Sequence, residues 1–573
     1  MKKLKALIFC LLGIFAFLSA FSQEVQLKVL YGDSSEFISQ WSRELEGTYP
    51  DTAVVYKELN HSLSELKNSG YLAASIDSLC KGNDTLRAYL YAGRQYHWGE
   101  FKFALPDREF PGVIPAPGGA GSNQVLSLKR FNAYKERVVT FLENRGYPFA
   151  SVQLKDLDQA TGDTLGATLR IKPGKRYVVD SVYIKGNDPV SRRFVFPYLN
   201  IYPGMVYNEA RLRAIPEKIR NSGFLRQIRD FELEFSRGNR VNIYLYLERA
   251  NNNQAEGVVG LLPEEGKGGL HFTGQVDVRL WNLFRRGEYL QLNWQNPAPK
   301  TQELKLEADV PYLFFQMIGL HTSFELLKQD TSYVNRKAQL GIPFHISSHS
   351  RIEVYGDFEA SSLISPDGST NGPYRNYNAR LYGVRYFYEN LDYQLNPSDG
   401  MRLDFSMSAG RRREQERQRK LTSVKAGVRA SFYQPLYRGW VVHLRNQSRY
   451  RQSWSGSDPV AIRPNGLYRF GGFGSLRGFD DNALRASAYS IMSLEVRYLL
   501  SQNSNAYLFF DGAWYQRHTP SAKVSDFPFG FGIGGHIDAG MGIFYLSYAV
   551  GKQLDNPIDL SSARIHLGYV SKF

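Results

Sequence analysis

The strongest constraint on this chain is an alternation that begins near Gln254 and continues to Phe573. In residues 489–500, one parity reads Met492, Leu494, Val496, Tyr498 and Leu500, and the other carries Glu495 and Arg497. In residues 505–515, one parity reads Ala506, Leu508, Phe510, Gly512 and Trp514, and the other carries Asp511. Successive side chains of a strand point to opposite faces. Glu495 and Asp511 are therefore expected on the same, non-greasy side of adjacent strands. Similar runs of about ten residues recur, separated by short turns and longer polar loops, the pattern of strands that cross a membrane as a barrel. Candidates lie at 256–262, 269–281, 288–295, 302–310, 319–327, 334–344, 351–360, 378–388, 401–411, 421–434, 440–452, 489–500, 505–515, 530–538, 542–551 and 563–573. Their number is about sixteen, and an even count is what such barrels use.

Composition supports this reading. Aromatic residues make up 14%, with 37 Tyr and 36 Phe, which suits girdles at a lipid interface. A mean hydropathy of -0.37 excludes a bundle of membrane helices but not strands that are apolar on one face only. The net charge of +15 is spread along the chain, and no compact basic module accompanies it, so no nucleic-acid partner is expected. Residues 1–22 read as a secretory signal peptide: Lys2, Lys3 and Lys5, an apolar run over 6–18, then Ser19-Ala20-Phe21-Ser22. That run is short for a spanning helix. Cys10 lies in this leader, so no disulfide framework is possible in the remainder. Cys80 is expected to be packed in the first repeat.

The N-terminal third repeats itself. Asn68-Ser69-Gly70-Tyr71, Asn144-Arg145-Gly146-Tyr147 and Asn221-Ser222-Gly223-Phe224 are one phrase, with glycines 76 and 77 residues apart. Each closes a helical stretch (62–68, 128–144, 209–221), and a glycine just past a helix is the common stop. Strand-like runs follow each phrase, as at 150–156 and 164–172, or 229–235 and 240–248. Domains are expected at 23–97, 98–177 and 178–250, with an irregular insert at 111–122, before a barrel over 251–573.

One loop stands out. Residues 454–488 form an unusually long connection, and such loops are commonly functional. Inside it lies Arg469-Phe470-Gly471-Gly472-Phe473-Gly474-Ser475-Leu476-Arg477-Gly478-Phe479. If the greasy strand faces meet lipid, Glu495 and Asp511 face the lumen, and a loop tucked inside could set Arg477 against them.

At these residues the chain resembles the outer-membrane assembly superfamily, which includes BamA, TamA and the two-partner secretion pores. Leu476-Arg477-Gly478-Phe479 resembles its [V/I/L]-R-G-[F/Y] motif on the sixth extracellular loop. Phe509-Phe510-Asp511-Gly512-Ala513 resembles its F-x-D-x-G strand motif, with Ala513 where the last glycine is expected. The strand–helix–helix–strand–strand repeats resemble POTRA domains, and Gly93-Arg94-Gln95-Tyr96 and Gly174-Lys175-Arg176-Tyr177 resemble their junction phrase. A terminal Phe573 resembles the outer-membrane insertion signal, from which Ser571 departs. By length and repeat number the chain is most similar to the TamA branch. The resemblance implies a multidomain fold: three small α/β POTRA domains in the periplasm, then a transmembrane antiparallel β-barrel in the bacterial outer membrane. It also implies a lock between loop and lumen built from Arg477, Gly478, Phe479, Glu495 and Asp511.

Loop lengths orient the barrel. Tight turns at 282–287, 311–315, 396–400 and 435–439 belong on the periplasmic side, and long loops at 361–375, 412–420, 453–488 and 516–528 outside. The basic stretch 411–420 then falls outside, either as a solvated charge run or against lipopolysaccharide.

The expected function is assembly or translocation. Client strands would be received on the POTRA domains, whose small sheets leave pairing edges, and inserted through a seam between the first and last barrel strands. Gly257, Gly260 and Phe573 mark that seam, because glycine weakens a strand and Pro263 removes a ladder donor. The alternative is a two-partner-type pore exporting a dedicated passenger; three repeats and a strand-like 24–30 directly after the leader disfavour it. A passive porin gives no reason for the repeats. Expected partners are unfolded outer-membrane or secreted clients, the lipid bilayer with lipopolysaccharide, and a periplasm-spanning or inner-membrane protein. No enzyme is expected: G-x-S-x-G, H-E-x-x-H, the Walker lysine motif and C-x-x-C are all absent. No cofactor or metal is expected either, since His345 and His349 do not share a helix face.

Overall fold

A computed structural model describes residues 25–572 apart from 32–41, 44, 83–84, 105–123, 187–189, 251, 264–269, 299, 315–316, 365–371, 416–418, 541, 555–557 and 559–562. The signal peptide, the insert 111–122 and Phe573 lie outside the described residues. The chain divides into two compact units: residues 1–179, 205–210 and 235–241, and residues 180–204, 211–234 and 242–573.

The first unit holds two small α/β repeats. In the first, strands Val25–Tyr31, Gly47–Tyr49, Ser75–Lys81 and Thr85–Tyr91 form a four-stranded sheet in which Val25–Tyr31 runs parallel to Thr85–Tyr91. Helix α1 (Thr52–Asn68) begins where the Asp51 carboxylate accepts the Val54 N–H at 2.9 Å. Its buried Val55, Leu59, Ser62 and Leu66 recur at helical spacing and cover Leu27, Val29, Leu86, Ala88 and Leu90. The helix starts ten residues before the expected 62, because that cap lies further upstream. The second repeat pairs helix α2 (Leu128–Glu143) with a sheet of Gln124–Val125, His97–Ala104, Thr164–Lys172 and Ser151–Thr161.

Cys80 is exposed rather than packed. A bulge between Ile76 and Ser78 shifts the alternation of its edge strand. Ile76 and Leu79 therefore take the core side, and Cys80 turns outward.

The repeated phrase turns out to be half of a joint. Gly70 and Gly146 adopt φ of +94° and +103°, open to glycine at no steric cost. The Tyr71 and Tyr147 N–H groups return to the Leu66 and Leu142 carbonyls, both at 3.1 Å. The glycine carbonyls then accept from the junction phrases: Tyr96 N–H to Gly70 at 2.9 Å, Tyr177 N–H to Gly146 at 2.7 Å. The Tyr96 and Tyr177 carbonyls accept from Leu126 and Tyr207 at 2.8 and 3.0 Å.

Helices α3 (Arg192–Leu199), α4 (Glu209–Arg213) and α5 (Ile215–Asn221), mostly in the second unit, accompany a sheet ordered Leu225–Ser236, Arg240–Arg249, Val178–Lys185. Val241, Ile243, Leu245 and Leu247 alternate into its core. Burial pushes the Lys218 amine below the usual lysine range, and Nζ donates to the Leu199 carbonyl at 3.1 Å.

The barrel closes with sixteen antiparallel strands. They are β1 Gln254–Pro263, β2 Leu270–Trp281, β3 Tyr289–Ala298, β4 Thr301–Phe314, β5 Ile318–Gln329, β6 Tyr333–His345, β7 Ser350–Leu363 and β8 Tyr377–Leu391. Then come β9 Gly400–Glu414, β10 Arg419–Pro435, β11 Trp440–Ser455, β12 Ala488–Leu499, β13 Asn505–His518, β14 Phe529–Asp538, β15 Gly542–Lys552 and β16 Arg564–Lys572. Leu340, Ile342, Val354, Met407, Leu508 and Leu567 are exposed on the outer face. Charge is satisfied inside instead: Arg385 with Asp404 at 2.6 Å, Lys425 with Asp357 at 2.8 Å, Arg451 with Glu359 at 2.8 Å. Among the described residues no helix is long and apolar enough to cross a membrane.

The basic stretch 411–420 is mostly strand, not loop. β9 runs on to Glu414 and β10 starts at Arg419. Arg412 is buried, with its guanidinium 3.7 Å from the Tyr377 ring centre. Strand alternation explains this: of three successive arginines, the middle one faces the opposite way.

Candidate functional site: a tucked loop and a short seam

Strands β12 and β13 pair along their length, from Ala488 opposite Gln516 to Leu499 opposite Asn505. Their outer residues include Leu508, 62% exposed, while Glu495 and Asp511 on the other face are 4% and 0% exposed. The loop between β11 and β12 returns into the barrel against this wall. It contains short strands Asp458–Val460, Tyr468–Phe470 and Leu484–Ala486, the last two paired with each other. Phe470, Leu476, Leu484 and Ala486 form a small core with Tyr489, Ile491, Ala513 and Tyr515 of the wall. Ala513, which replaces the glycine of the strand motif, is a packed member of that core.

Arg477 is 3% exposed. Its Nε–H donates to Asp511 Oδ2 at 2.7 Å and Nη2–H to Oδ1 at 2.6 Å, a two-pronged bond that matches guanidinium to carboxylate. Nη1–H reaches Glu495 Oε1 at 2.7 Å, and the backbone N–H adds a bond to Asp511 Oδ2 at 3.1 Å. Below, the guanidinium sits 3.7 Å from the Phe509 ring centre. Gly478 has φ of +89°, and a Cβ there would lie 2.6 Å from the Gly551 nitrogen on β15. Phe479 packs on the loop core. All five expected residues thus lie in or beside one site.

Further groups complete it. Glu495 is shared with Arg497, at 2.6 Å, and with His443 Nδ1, at 3.0 Å. Arg445 donates to the Ser475 carbonyl at 3.0 Å. Strand β14 turns Gly530, Gly532 and Gly534 toward the lumen, leaving room for the loop and for inward-lying rings. A Cβ at Gly530 would strike the Arg477 carbonyl oxygen, and one at Gly532 would lie 2.9 Å from Phe509 Cζ. The G-x-G-x-G spacing was visible in the sequence, but its meaning depends on what lies over it. Elsewhere the Asn465 amide nitrogen holds Ser361 Oγ and the Arg375 carbonyl, each at 2.7 Å. Arg469 pairs with Glu303 on β4.

The seam is built differently. Among the described residues, β1 meets β16 only where Gln254 faces Lys572 and Ala255 faces Ser571. On its other side β1 pairs with β2 from Gln254–Arg279 to Pro263–Leu270. Similarly, β16 pairs with β15 from Ser571–Gly542 to Arg564–Ala549. Gly257 and Gly260 lie in the part of β1 beyond the two seam pairs. His345 and His349, four residues apart, make separate contacts: His345 with the Tyr312 ring, His349 with Ser348 Oγ.

Residues 282–573 match the Omp85 superfamily domain. Over 463 residues, 74% of this chain, the sequence is 18% identical to the outer membrane protein assembly factor BamA of Neisseria meningitidis serogroup B. The chain spans 55% of the length of that protein. CdiB from Acinetobacter baumannii matches with a TM-score of 0.51 at 15% identity, over 95% of this chain and 100% of that one. CdiB from Escherichia coli matches with a TM-score of 0.53 at 14% identity, over 90% and 96%. These two structures share the fold. The domain match takes in half of the chain, and the chain therefore belongs to the Omp85 superfamily of bacterial outer-membrane proteins.

Proposed function

We propose that this protein inserts client proteins into the outer membrane through the β1–β16 seam, after receiving them on periplasmic POTRA domains. The short ladder of that seam carries the reading. In hydrocarbon a backbone N–H or C=O without a partner costs several kcal/mol. Edges left unpaired beyond Ala255 and Ser571 favour any strand that can add to them, and an unfolded client supplies one. The Arg477 cluster holds the loop against the β12–β13 wall while this happens, so the lumen stays occupied and the barrel keeps its shape. Lipid, lipopolysaccharide and a periplasm-spanning or inner-membrane protein are the remaining proposed partners.

A pore that exports one dedicated passenger is the competing reading. Depletion of the protein, followed by quantitative proteomics of the outer membrane and the medium, separates the two. Loss of many unrelated barrels from the membrane is the expected result. Loss of a single secreted protein, with the membrane unchanged, would overturn the insertion reading.

A further inference from the structure

We infer that Tyr545 is a latch across the seam, worked from inside the lumen by the loop that carries Arg477. This rests on the proposal that the seam opens. Tyr545 on β15 stands directly opposite Gly568 on β16. A Cβ at Gly568 would collide with the Tyr545 ring, so the ring lies flat across the last strand where only glycine leaves space. Beyond it the phenol O–H donates to Glu256 Oε1 on β1 at 2.7 Å. The bond thus spans three strands, bypassing the β1–β16 ladder, and lands one residue past Ala255, where that ladder stops.

The loop reaches the same ring. Phe473 stacks on Tyr545 with centroids 5.1 Å apart and planes 20° apart, and lies 5.7 Å from the His566 ring of β16. It precedes Arg477 by four residues, so the anchored guanidinium fixes where Phe473 sits. Asp480, three residues after Arg477, pairs with Arg564 of β16 at 2.8 Å, but both partners are exposed and this contact adds little. A loop held by Asp511 therefore presses the latch closed, and a displaced loop frees it. Tyr545 is a positioning residue: it holds β1 near β16 and leaves the pairing edges of both strands free.

Hydrogen exchange on the full chain in lipid nanodiscs tests this without any client. Tyr545→Phe keeps the ring and removes the bond to Glu256. The expected result is exchange about tenfold faster in residues 254–257 and 566–572, the scale of one hydrogen bond to a charged acceptor, with β7 and β8 unchanged. Glu256→Gln retains an acceptor without its charge and should fall between wild type and Tyr545→Phe. Glu256→Ala should match Tyr545→Phe, and the double variant should exchange no faster than either. Phe473→Ala should speed the same segments by a smaller factor. Unchanged exchange in Tyr545→Phe, or acceleration all round the barrel, would overturn the latch. Client insertion measured in parallel bears on the insertion proposal alone, because exchange reads the seam itself.

Discussion

The wall of β12 and β13 and the seam of β1 and β16 are both junctions of antiparallel strands in one barrel, yet they are held in opposite ways. The wall has a full ladder, a buried arginine against two carboxylates, and a loop core packed over it. The seam has two register pairs and a tyrosine reaching over a glycine. Buried charges are costly to separate, whereas a short ladder is not. A barrel with firm polar attachments along its walls and a short ladder at its seam can part there without unravelling. On the proposed function, the wall holds and the seam opens.

The largest expected effect comes from removing the difference. Ala255 and Ser571 face each other across the seam, and opposed residues of antiparallel strands lie within disulfide reach. In an Ala255→Cys/Ser571→Cys variant, oxidation should abolish insertion of a client barrel into liposomes, and reductant should restore it. A control bridge between Val354→Cys and Val384→Cys, opposed on β7 and β8, should leave insertion intact. Equal insertion with the seam bridged would refute lateral opening.

Next comes the wall. Breaking a buried ion pair by removing one partner costs about 3–5 kcal/mol. In Arg477→Ala, Glu495 keeps Arg497 and the backbone N–H at 477 still faces Asp511, but both guanidinium bonds to Asp511 are lost. The loop should become protease-sensitive, and Asp511→Asn in the same chain should recover part of the loss by discharging the orphan. A loop as resistant as wild type would show that the cluster does not hold it.

A smaller effect is expected at Gly530. A side chain there must displace the Arg477 carbonyl, and overpacking of this kind costs about 1–3 kcal/mol. Thermal unfolding of Gly530→Val should fall accordingly, and an unchanged midpoint would mean the loop can shift freely. The smallest effect belongs to Arg469→Ala. Its partner Glu303 is partly open to lumen water, so the loss should stay below about 1 kcal/mol and leave the loop resistant to protease.

Much of this was readable from the residues. Alternation placed Glu495 and Asp511 on one face because the period of a strand is fixed by its backbone, and lipid demands an apolar exterior all round. The glycines at 70, 146 and 223 announced helix ends for the same kind of local reason. Errors arose where a local rule was displaced by its neighbours. A single bulge turned Cys80 outward, and an extended strand carried Arg412 inward. The joint that links Gly70 to Tyr96 was present as two separate phrases, with nothing in either to say that they bond.

The sequence by itself determined the strands, their faces, the repeats and the long arginine loop, since each is written in the residue pattern along the chain and needs no knowledge of which segments meet. Only the tertiary structure decided which strand pair closes weakly, which glycines lie beneath the loop, and that Tyr545 meets Glu256. Those two residues stand 289 positions apart and touch only because the barrel closes. Closure is a property of the whole ring of ladders, and no stretch of the chain encodes it alone.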